Sequence, residues 1–369
     1  MKGWVLGVLL TIVSAAGSTS GLILQKIAHT REQKAVKDGI KTNTLKCFDI
    51  PCNKYFIAGF IMLAFVPLPF DFVALANAGQ SIILPVGTGC TVIFGQLLAP
   101  KILGEKLTNL DIVATFFITL GTVLSMATGT HESPTYTANR LLYLYTLTPF
   151  IIAMVFIAIT TTICLIVAHV PKLEEKLWAS AKIPILAYIP SSLGAVQIMV
   201  FKVVGELTKN TFTGYEESYV DTSSSSSTNS TNGINYKTRM VKTNEFLNPI
   251  LYLYVFLVIT LAVAQLSYLN RGLSKYNAIK FLPIYNTLLL MVGVTCGAIY
   301  FQEYDAFHPV WFPIGCLLEM SGILALAWKM DDDDNKNNEN VDTESNSNSS
   351  EKIVTESTTT SNLTKILPS

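Results

Sequence analysis

The sequence predicts an all-α integral membrane protein with nine transmembrane helices, arranged as inverted repeats of four and five helices. Three observations predict this fold: the composition, a series of apolar stretches and an internal repeat. Hydrophobic residues make up 50% of the 369 residues and charged residues only 14%, whereas soluble domains carry roughly 25% charged residues. This composition argues against a soluble enzyme, a nucleic-acid-binding protein and a disulfide-stabilised secreted domain.

Nine apolar stretches each have about the 20 residues that a helix needs to cross a bilayer. They lie near residues 4–24, 54–76, 80–99, 108–129, 141–168, 181–205, 249–267, 278–301 and 310–329. The first is longer than the core of a signal peptide, and no clear cleavage site follows it. We therefore interpret it as a membrane helix.

Two hydrophilic segments interrupt or follow the apolar stretches. A Ser/Thr/Asn-rich loop covers residues 210–248, and an acidic, polar tail covers residues 331–369. Neither has enough apolar residues to fold alone. The expected organisation is a transmembrane domain at 1–330, followed by a disordered tail.

The distribution of Lys and Arg predicts the orientation. Of the 26 basic residues, 19 fall on the side that the chain reaches after the first span, and 7 fall on the other side. Basic residues concentrate on the cytoplasmic side, so the N-terminus is expected outside or in a lumen. The sequon at Asn229 then lies on the lumenal side, which predicts a glycoprotein.

An internal repeat relates the two halves of the chain. Residues 84–105 and 282–303 share a Leu-Pro pair, a glycine ten residues after the proline and a glutamate twenty residues after it. Spans one to four, at about 1–129, thus match spans six to nine, at about 181–330, with span five (141–168) between them. Because the period of five spans is odd, the halves are inverted, which is typical of alternating-access transporters.

Two segments resemble the NIPA magnesium-transporter family of the drug/metabolite transporter superfamily. Residues 104–124 resemble the family around its fourth helix, and residues 264–303 resemble it more specifically. The family's Gln-x-x-Tyr-Leu-Asn motif falls on Gln265 to Asn270, and its Pro-Ile-Tyr falls on Pro283 to Tyr285. The resemblance implies a ten-helix-type fold without its last helix, Mg²⁺ or another divalent cation as substrate, and a place in the plasma membrane or endosomes.

Three acids are candidates for the ion path. Glu105 and Glu303 are expected at the ends of the third and eighth helices, at opposite faces, and Glu319 is the acid well inside a span. Ionisable groups inside membrane helices commonly mark ion pathways. The alternatives are a solvated interfacial carboxylate for Glu105 and Glu303, and an ion pair or hydrogen bond to a neighbouring helix for Glu319. Since Glu303 has no Lys or Arg within twenty positions, its expected partner is a cation or a lysine from another helix.

Four polar residues of the second half complete the predicted ion path. They are Gln265, Asn270, Tyr285 and Asn286. Their oxygens suit Mg²⁺, which is held by few protein ligands and retains several waters. The alternative is that they hydrogen-bond between helices.

The repeat-related lysines Lys26 and Lys202 would repel a cation and attract an anion. These two lysines are the reason for a second hypothesis, in which the protein transports a small anionic or polar metabolite. A third is a trafficking or scaffold protein that acts through its tail. No cofactor, catalytic residue or nucleic-acid partner is expected beyond the ion and the lipid bilayer, and the sequence leaves the oligomeric state open.

Overall fold

A computed structural model describes residues 3–37, 44–45, 50–51, 54–103, 109–131, 136–170, 179–220, 236–241, 244–276 and 278–325. Within these residues the chain forms eleven α-helices. They are α1 (Gly3–Lys37), α2 (Lys54–Ala64), α3 (Pro67–Asn77), α4 (Gln80–Leu103), α5 (Asn109–Thr128), α6 (Ala138–Leu144), α7 (Thr148–His169), α8 (Ala179–Thr213), α9 (Pro249–Lys275), α10 (Ala278–Tyr300) and α11 (Trp311–Ala325).

Eight helical segments are long and apolar enough to cross a membrane. One of them combines α2 and α3, which are separated at Phe65 and Val66 because Pro67 begins a new helix. Proline is favoured at a helix start, where its missing N–H is not needed. The shorter α11 lies within the predicted ninth stretch. The all-α membrane fold is thus confirmed, while the count of nine crossing helices stays a prediction.

Two pairs of short strands accompany the helices. β1 (Thr44–Leu45) pairs with β2 (Ile50–Pro51), and β3 (Tyr215–Val220) pairs with β4 (Tyr236–Val241), both antiparallel. The second pair joins the two ends of the predicted loop at 210–248. The serine-rich centre of that loop, with Asn229, lies outside the described residues. Helix α8 also continues to Thr213, eight residues beyond the predicted span.

The helix ends form two faces. The N-terminal face, which we define by Gly3, Gln80, Thr130 and Glu303, carries contacts between these ends: Gly3 approaches Asn77, and Thr130 donates to the carbonyl of Glu303. The opposite face carries the ends of α4, α7 and α9. Between the two faces, the first half contacts the second where α3 packs on α8 and α4 on α10.

A third contact between the halves joins α5 and α11. It is unusually close because glycines remove side chains from both helices. A Cβ atom added to Gly121 would lie 2.6 Å from the carbonyl oxygen of Gly315, and one added to Gly322 would lie 2.7 Å from that of Ala114. Small residues permit such close backbone approach in membrane helices.

Candidate functional site

The first polar centre of the molecule surrounds Glu303 at the N-terminal face. Its carboxylate accepts hydrogen bonds from the backbone N–H groups of Gln80 (2.9 Å) and Ser81 (2.8 Å), the first residues of α4. The first N–H groups of a helix have no partner within the helix and form a partial positive charge. Glu303 from the second half thus caps a helix of the first half.

The same carboxylate forms an ion pair with Lys202 of α8. The Nζ atom lies 2.6 Å from Oε1, and the two side chains are 1% and 2% exposed. The ammonium also lies 4.1 Å from the centre of the Phe301 ring. Burial alone would raise the pKa of Glu303, but the charge of Lys202 and the hydrogen bonds from Lys202 and Ser81 hold this pKa below its usual value. The partner of Glu303 is therefore a lysine from another helix, one of the two predicted partners.

The local backbone places Glu303 in this position. Helix α10 ends at Tyr300, and Gln302 has a left-handed conformation with φ of 55°. A left-handed residue is a common way to end a helix, although it is usually glycine. The side chain of Gln302 accepts a hydrogen bond from Arg140 (2.9 Å). Glu303 begins a 3-10 turn, Glu303–Asp305, rather than ending the helix as the sequence predicted.

Further contacts close the structure around this centre. The Tyr136 hydroxyl donates to the carbonyl of Phe301 (2.7 Å), and the Asn210 amide donates to the carbonyl of Tyr136 (2.6 Å). Burial and the nearby charge of Glu303 raise the pKa of Tyr136, so its hydroxyl stays protonated. Together these bonds tie α8 and α10 to the start of α6.

The second polar centre lies between the membrane helices at Glu319 of α11. Its side chain is fully buried, and its Oε1 atom accepts a hydrogen bond from the Thr88 hydroxyl of α4 (2.7 Å). Thr122 of α5 also lies within hydrogen-bond reach. The Oε2 atom has no hydrogen-bond partner among the described residues. The predicted alternative of a bond to a neighbouring helix is thus present, but it satisfies only part of the carboxylate.

The structure adds a half-buried acid that the prediction passed over. Asp71 of α3 forms a side-chain hydrogen bond with Ser14 of α1. The sequence signal for it was present, since Asp71 interrupts the apolar second span. This contact joins two helices of the same half, and it lies apart from both polar centres in the described contacts.

Two of the four predicted polar residues of the second half meet each other. The Gln265 amide donates to the Tyr285 hydroxyl (2.7 Å), and the backbone carbonyl of Tyr285 accepts from Ser191 of α8 (2.9 Å). This is the helix-to-helix bonding that was the alternative to an ion path. Asn270 and Asn286 are half-buried, and neither is brought to the carboxylates in the described contacts.

Some predicted sites lie outside the described residues. Glu105 and Asn229 are among them, as is the tail at 331–369. Within the described part of the chain, no group of three or more His, Cys, Asp or Glu side chains is arranged to hold a metal ion. A surface pocket at the opposite face is lined by Lys182, Arg271 and Lys275, among other residues.

Comparison with known proteins places the chain in a family. The family described as "Magnesium transporter NIPA" matches residues 2–224 and 218–331. "Probable magnesium transporter NIPA8" of Arabidopsis thaliana is 26% identical over 89% of this chain and 70% of its own length. "Probable magnesium transporter NIPA6" of the same plant is 25% identical over 64% of this chain and 61% of its own length.

No solved structure matches the chain. The helical segments make it an integral, multi-pass membrane protein, and the matched family consists of transporters, not enzymes. The predicted resemblance is confirmed over nearly the whole transmembrane domain, and the chain belongs to the NIPA magnesium-transporter family.

Proposed function

We propose that this chain transports divalent cations, Mg²⁺ above all, by alternating access, and that Glu319 holds the ion between the two halves. The observation that carries the proposal is the fully buried carboxylate of Glu319, whose Oε2 atom lacks a hydrogen-bond partner within the described residues. A buried carboxylate is unfavourable unless it is paired or protonated, or binds a cation. Among the described residues, no lysine or arginine lies in ion-pair contact with Glu319, whereas Glu303 is paired with Lys202.

The chemistry around Glu319 suits a small, hard cation. Mg²⁺ takes oxygen ligands and retains several waters, so one carboxylate with neighbouring hydroxyls is a sufficient protein contribution. The Thr88 hydroxyl lies 2.9 Å from the carbonyl of Leu84 as well as 2.7 Å from Glu319. Because a hydroxyl has one proton, Thr88 can turn that proton to the carbonyl and present its lone pairs to an ion.

The position of Glu319 fits the inverted repeat. The offset of 198 residues, from Leu84 to Leu282, carries Gly121 to position 319. Gly121 and Glu319 are also in contact, since a Cβ atom on Gly121 would lie 2.9 Å from the Cα atom of Glu319. Under the proposed inverted repeat, two equivalent positions that touch lie on the pseudo-twofold axis between the halves.

The packing of α5 against α11 supports this axis. The two helices are antiparallel, since Ala114 approaches Gly322 at one end and Ser125 approaches Gly315 at the other. Gly121 and Glu319 lie between these contacts. Transporters with inverted repeats place their substrate site near the bilayer midplane, where the repeats meet. We propose that Glu319 has that location.

The metabolite hypothesis loses one of its two supports. It rested on positive charges that would attract an anion, and Lys202 is neutralised by Glu303 at 2.6 Å. The side chain of Lys26 lies outside the described residues. The scaffold hypothesis rests on the tail alone, and deletion of residues 331–369 tests it, because transport should survive this deletion.

For the cellular setting, we propose the plasma membrane or endosomes, with the N-terminal face outside and Asn229 glycosylated. The excess of basic residues on the opposite side supports this orientation, with 19 of 26 Lys and Arg residues there. On this basis, Glu303 lies at the outer face.

The test is ion flux into proteoliposomes of the purified protein. Mg²⁺ is compared with Mn²⁺, Ca²⁺ and anionic sugar phosphates, for the unmodified chain, for Glu319→Gln and for Asp305→Asn, an exposed acid that serves as control. We expect Mg²⁺ uptake that Glu319→Gln reduces far more than it reduces the yield of folded protein, while Asp305→Asn behaves as the unmodified chain. Normal uptake by Glu319→Leu would exclude this residue from the path, and sugar-phosphate flux without cation flux would overturn the function.

A further inference from the structure

The contacts of Glu303 join the two halves at the N-terminal face. Lys202 and Glu303 belong to the second half, whereas Gln80 and Ser81 begin a helix of the first half. The first half must move relative to the second if the site at Glu319 is to face each side of the membrane in turn. Such a movement has to separate Glu303 from the start of α4, or draw it away from Lys202.

The packing around these contacts closes the N-terminal face. Gln80 and Ser81 are completely buried, and Gly79 packs tightly against Glu303, since a Cβ atom added to it would lie 3.2 Å from Oε2. Phe301 covers the ammonium of Lys202 on another side, at 4.1 Å. In this conformation, the described residues cover Glu303, so that an ion from this face does not reach its carboxylate.

One buried polar atom at the same junction has no hydrogen-bond partner among the described residues: the side-chain oxygen of Gln80. Unsatisfied buried polar atoms are rare in folded proteins and call for an explanation. A second, hydrated conformation supplies this explanation, because the Gln80 oxygen would then bind water or an ion. This observation is independent of the ion pair and points to a second conformation.

We propose that Lys202, Glu303 and the first turn of α4 form a gate, in which the ammonium of Lys202 takes the place of the transported cation at Glu303. An ion that enters from the N-terminal face displaces Lys202, and Glu303 is thereby freed from the start of α4. When the ion has passed, Lys202 returns and closes the face. The gate rests on the proposed transport of cations, and it resolves why a cation transporter buries a lysine near its entrance.

The gate is tested by the accessibility of Ser81 in lipid nanodiscs, where both faces of the full-length protein are open to reagent. Ser81→Cys is introduced after the six native cysteines are replaced by serine, and a charged maleimide measures its labelling rate. We expect slow labelling in the otherwise unmodified chain and labelling about tenfold faster with Lys202→Gln or Glu303→Gln, because the open population rises. Lys202→Arg keeps the charge and should label slowly.

Two controls accompany this measurement. Thr213→Cys, which is exposed at the end of α8, should label at one rate in every background. Asp305→Asn, which removes an exposed charge near Glu303, should leave the rate at Ser81→Cys unchanged. If Glu303→Gln does not fold, the comparison of Lys202→Gln with Lys202→Arg decides alone.

The outcomes separate the gate from the transport function. Equal labelling of Ser81→Cys with Lys202, Lys202→Arg and Lys202→Gln overturns the gate, as does an unlabelled Ser81→Cys in a protein that transports Mg²⁺. The absence of any cation uptake into proteoliposomes instead overturns the proposed function, whatever the labelling shows. We expect Mg²⁺ to alter the labelling rate of Ser81→Cys in the chain with Lys202 and Glu303 intact, and no change would contradict the displacement of Lys202.

Discussion

Replacement of Lys202 by methionine removes the positive charge next to Glu303 and leaves the carboxylate buried. Removing one partner of a buried ion pair typically costs about 3–5 kcal/mol, because the remaining charge is uncompensated. The backbone N–H groups of Gln80 and Ser81 still donate to Glu303, so we expect the low end, about 3 kcal/mol. At roughly 2–4 °C per kcal/mol, this corresponds to a loss of about 6–12 °C in apparent Tm.

A double-mutant cycle in detergent solution separates the ion pair from other effects of these substitutions. Lys202→Met, Glu303→Gln and the double variant are compared by thermal denaturation, with Asp305→Asn as control. Because the double variant leaves no unpaired charge, we expect it to be more stable than the sum of the single losses by about 0.5–3 kcal/mol. Additive losses, or a loss below about 2 °C for Lys202→Met, would refute a strong ion pair.

The stability that the Lys202–Glu303 ion pair contributes should depend on pH. Burial opposes ionisation of Glu303, yet Lys202 holds its pKa below the usual 4.5. A lowered folded-state pKa contributes stability above the unfolded value, and this stability is lost as the pH falls through the folded pKa. The unmodified chain should therefore lose stability at acid pH, and its advantage over Lys202→Met should shrink as the pH falls below 4.5.

Three further predictions concern packing, the ion path and topology. Gly121→Ala should destabilise the protein, because its Cβ atom meets the backbone of α11. Gly95→Ala, with no atom within 4 Å of the added Cβ, should be neutral or stabilising by up to about 1 kcal/mol. A reversed order of the two variants in thermal denaturation would contradict the close α5–α11 contact. Glu303→Gln should lower the apparent Mg²⁺ affinity several-fold in concentration-dependent uptake, and Glu105→Gln should do less; equal and negligible effects would show that neither carboxylate meets the ion. Glycosidase treatment and protease protection of sealed vesicles should place Asn229 outside and the C-terminal tail in the cytoplasm; finding both on one side would refute an odd number of spans.

The membrane helices could be predicted because a helix that lies in lipid has a locally apolar composition. The predicted span at 80–99 begins where α4 begins, at Gln80, and the span at 278–301 begins where α10 begins, at Ala278. Helix α8 was predicted too short, because Lys202, Glu206 and Lys209 lower the hydropathy near its end. These side chains are held by tertiary contacts, such as Lys209 donating to the carbonyl of Ala76 (2.8 Å).

The partners in the two polar centres could not be predicted in the same way. Lys202 and Glu303 are 101 residues apart, and no local pattern joins them. The repeat contained a partial signal, since each copy ends in glutamate and is preceded by a small-residue segment that ends in lysine, at Lys26 or Lys202. The contact of Gly121 with Glu319 was also implicit in the offset of the repeat, but it became visible only when the antiparallel register of α5 and α11 was known.

The length of α8 has a mechanical consequence. Its 35 residues extend about 52 Å at 1.5 Å per residue, whereas the hydrocarbon core of a bilayer is about 30 Å thick. The helix therefore projects from the membrane, and the β3–β4 hairpin follows directly at Gly214. The hairpin is attached to the end of the helix that carries Lys202, and the two internal prolines, Pro184 and Pro190, lie before Lys202 in the chain. A force or a binding partner acting on the hairpin would therefore be transmitted to Lys202 through the unbroken last turns of α8.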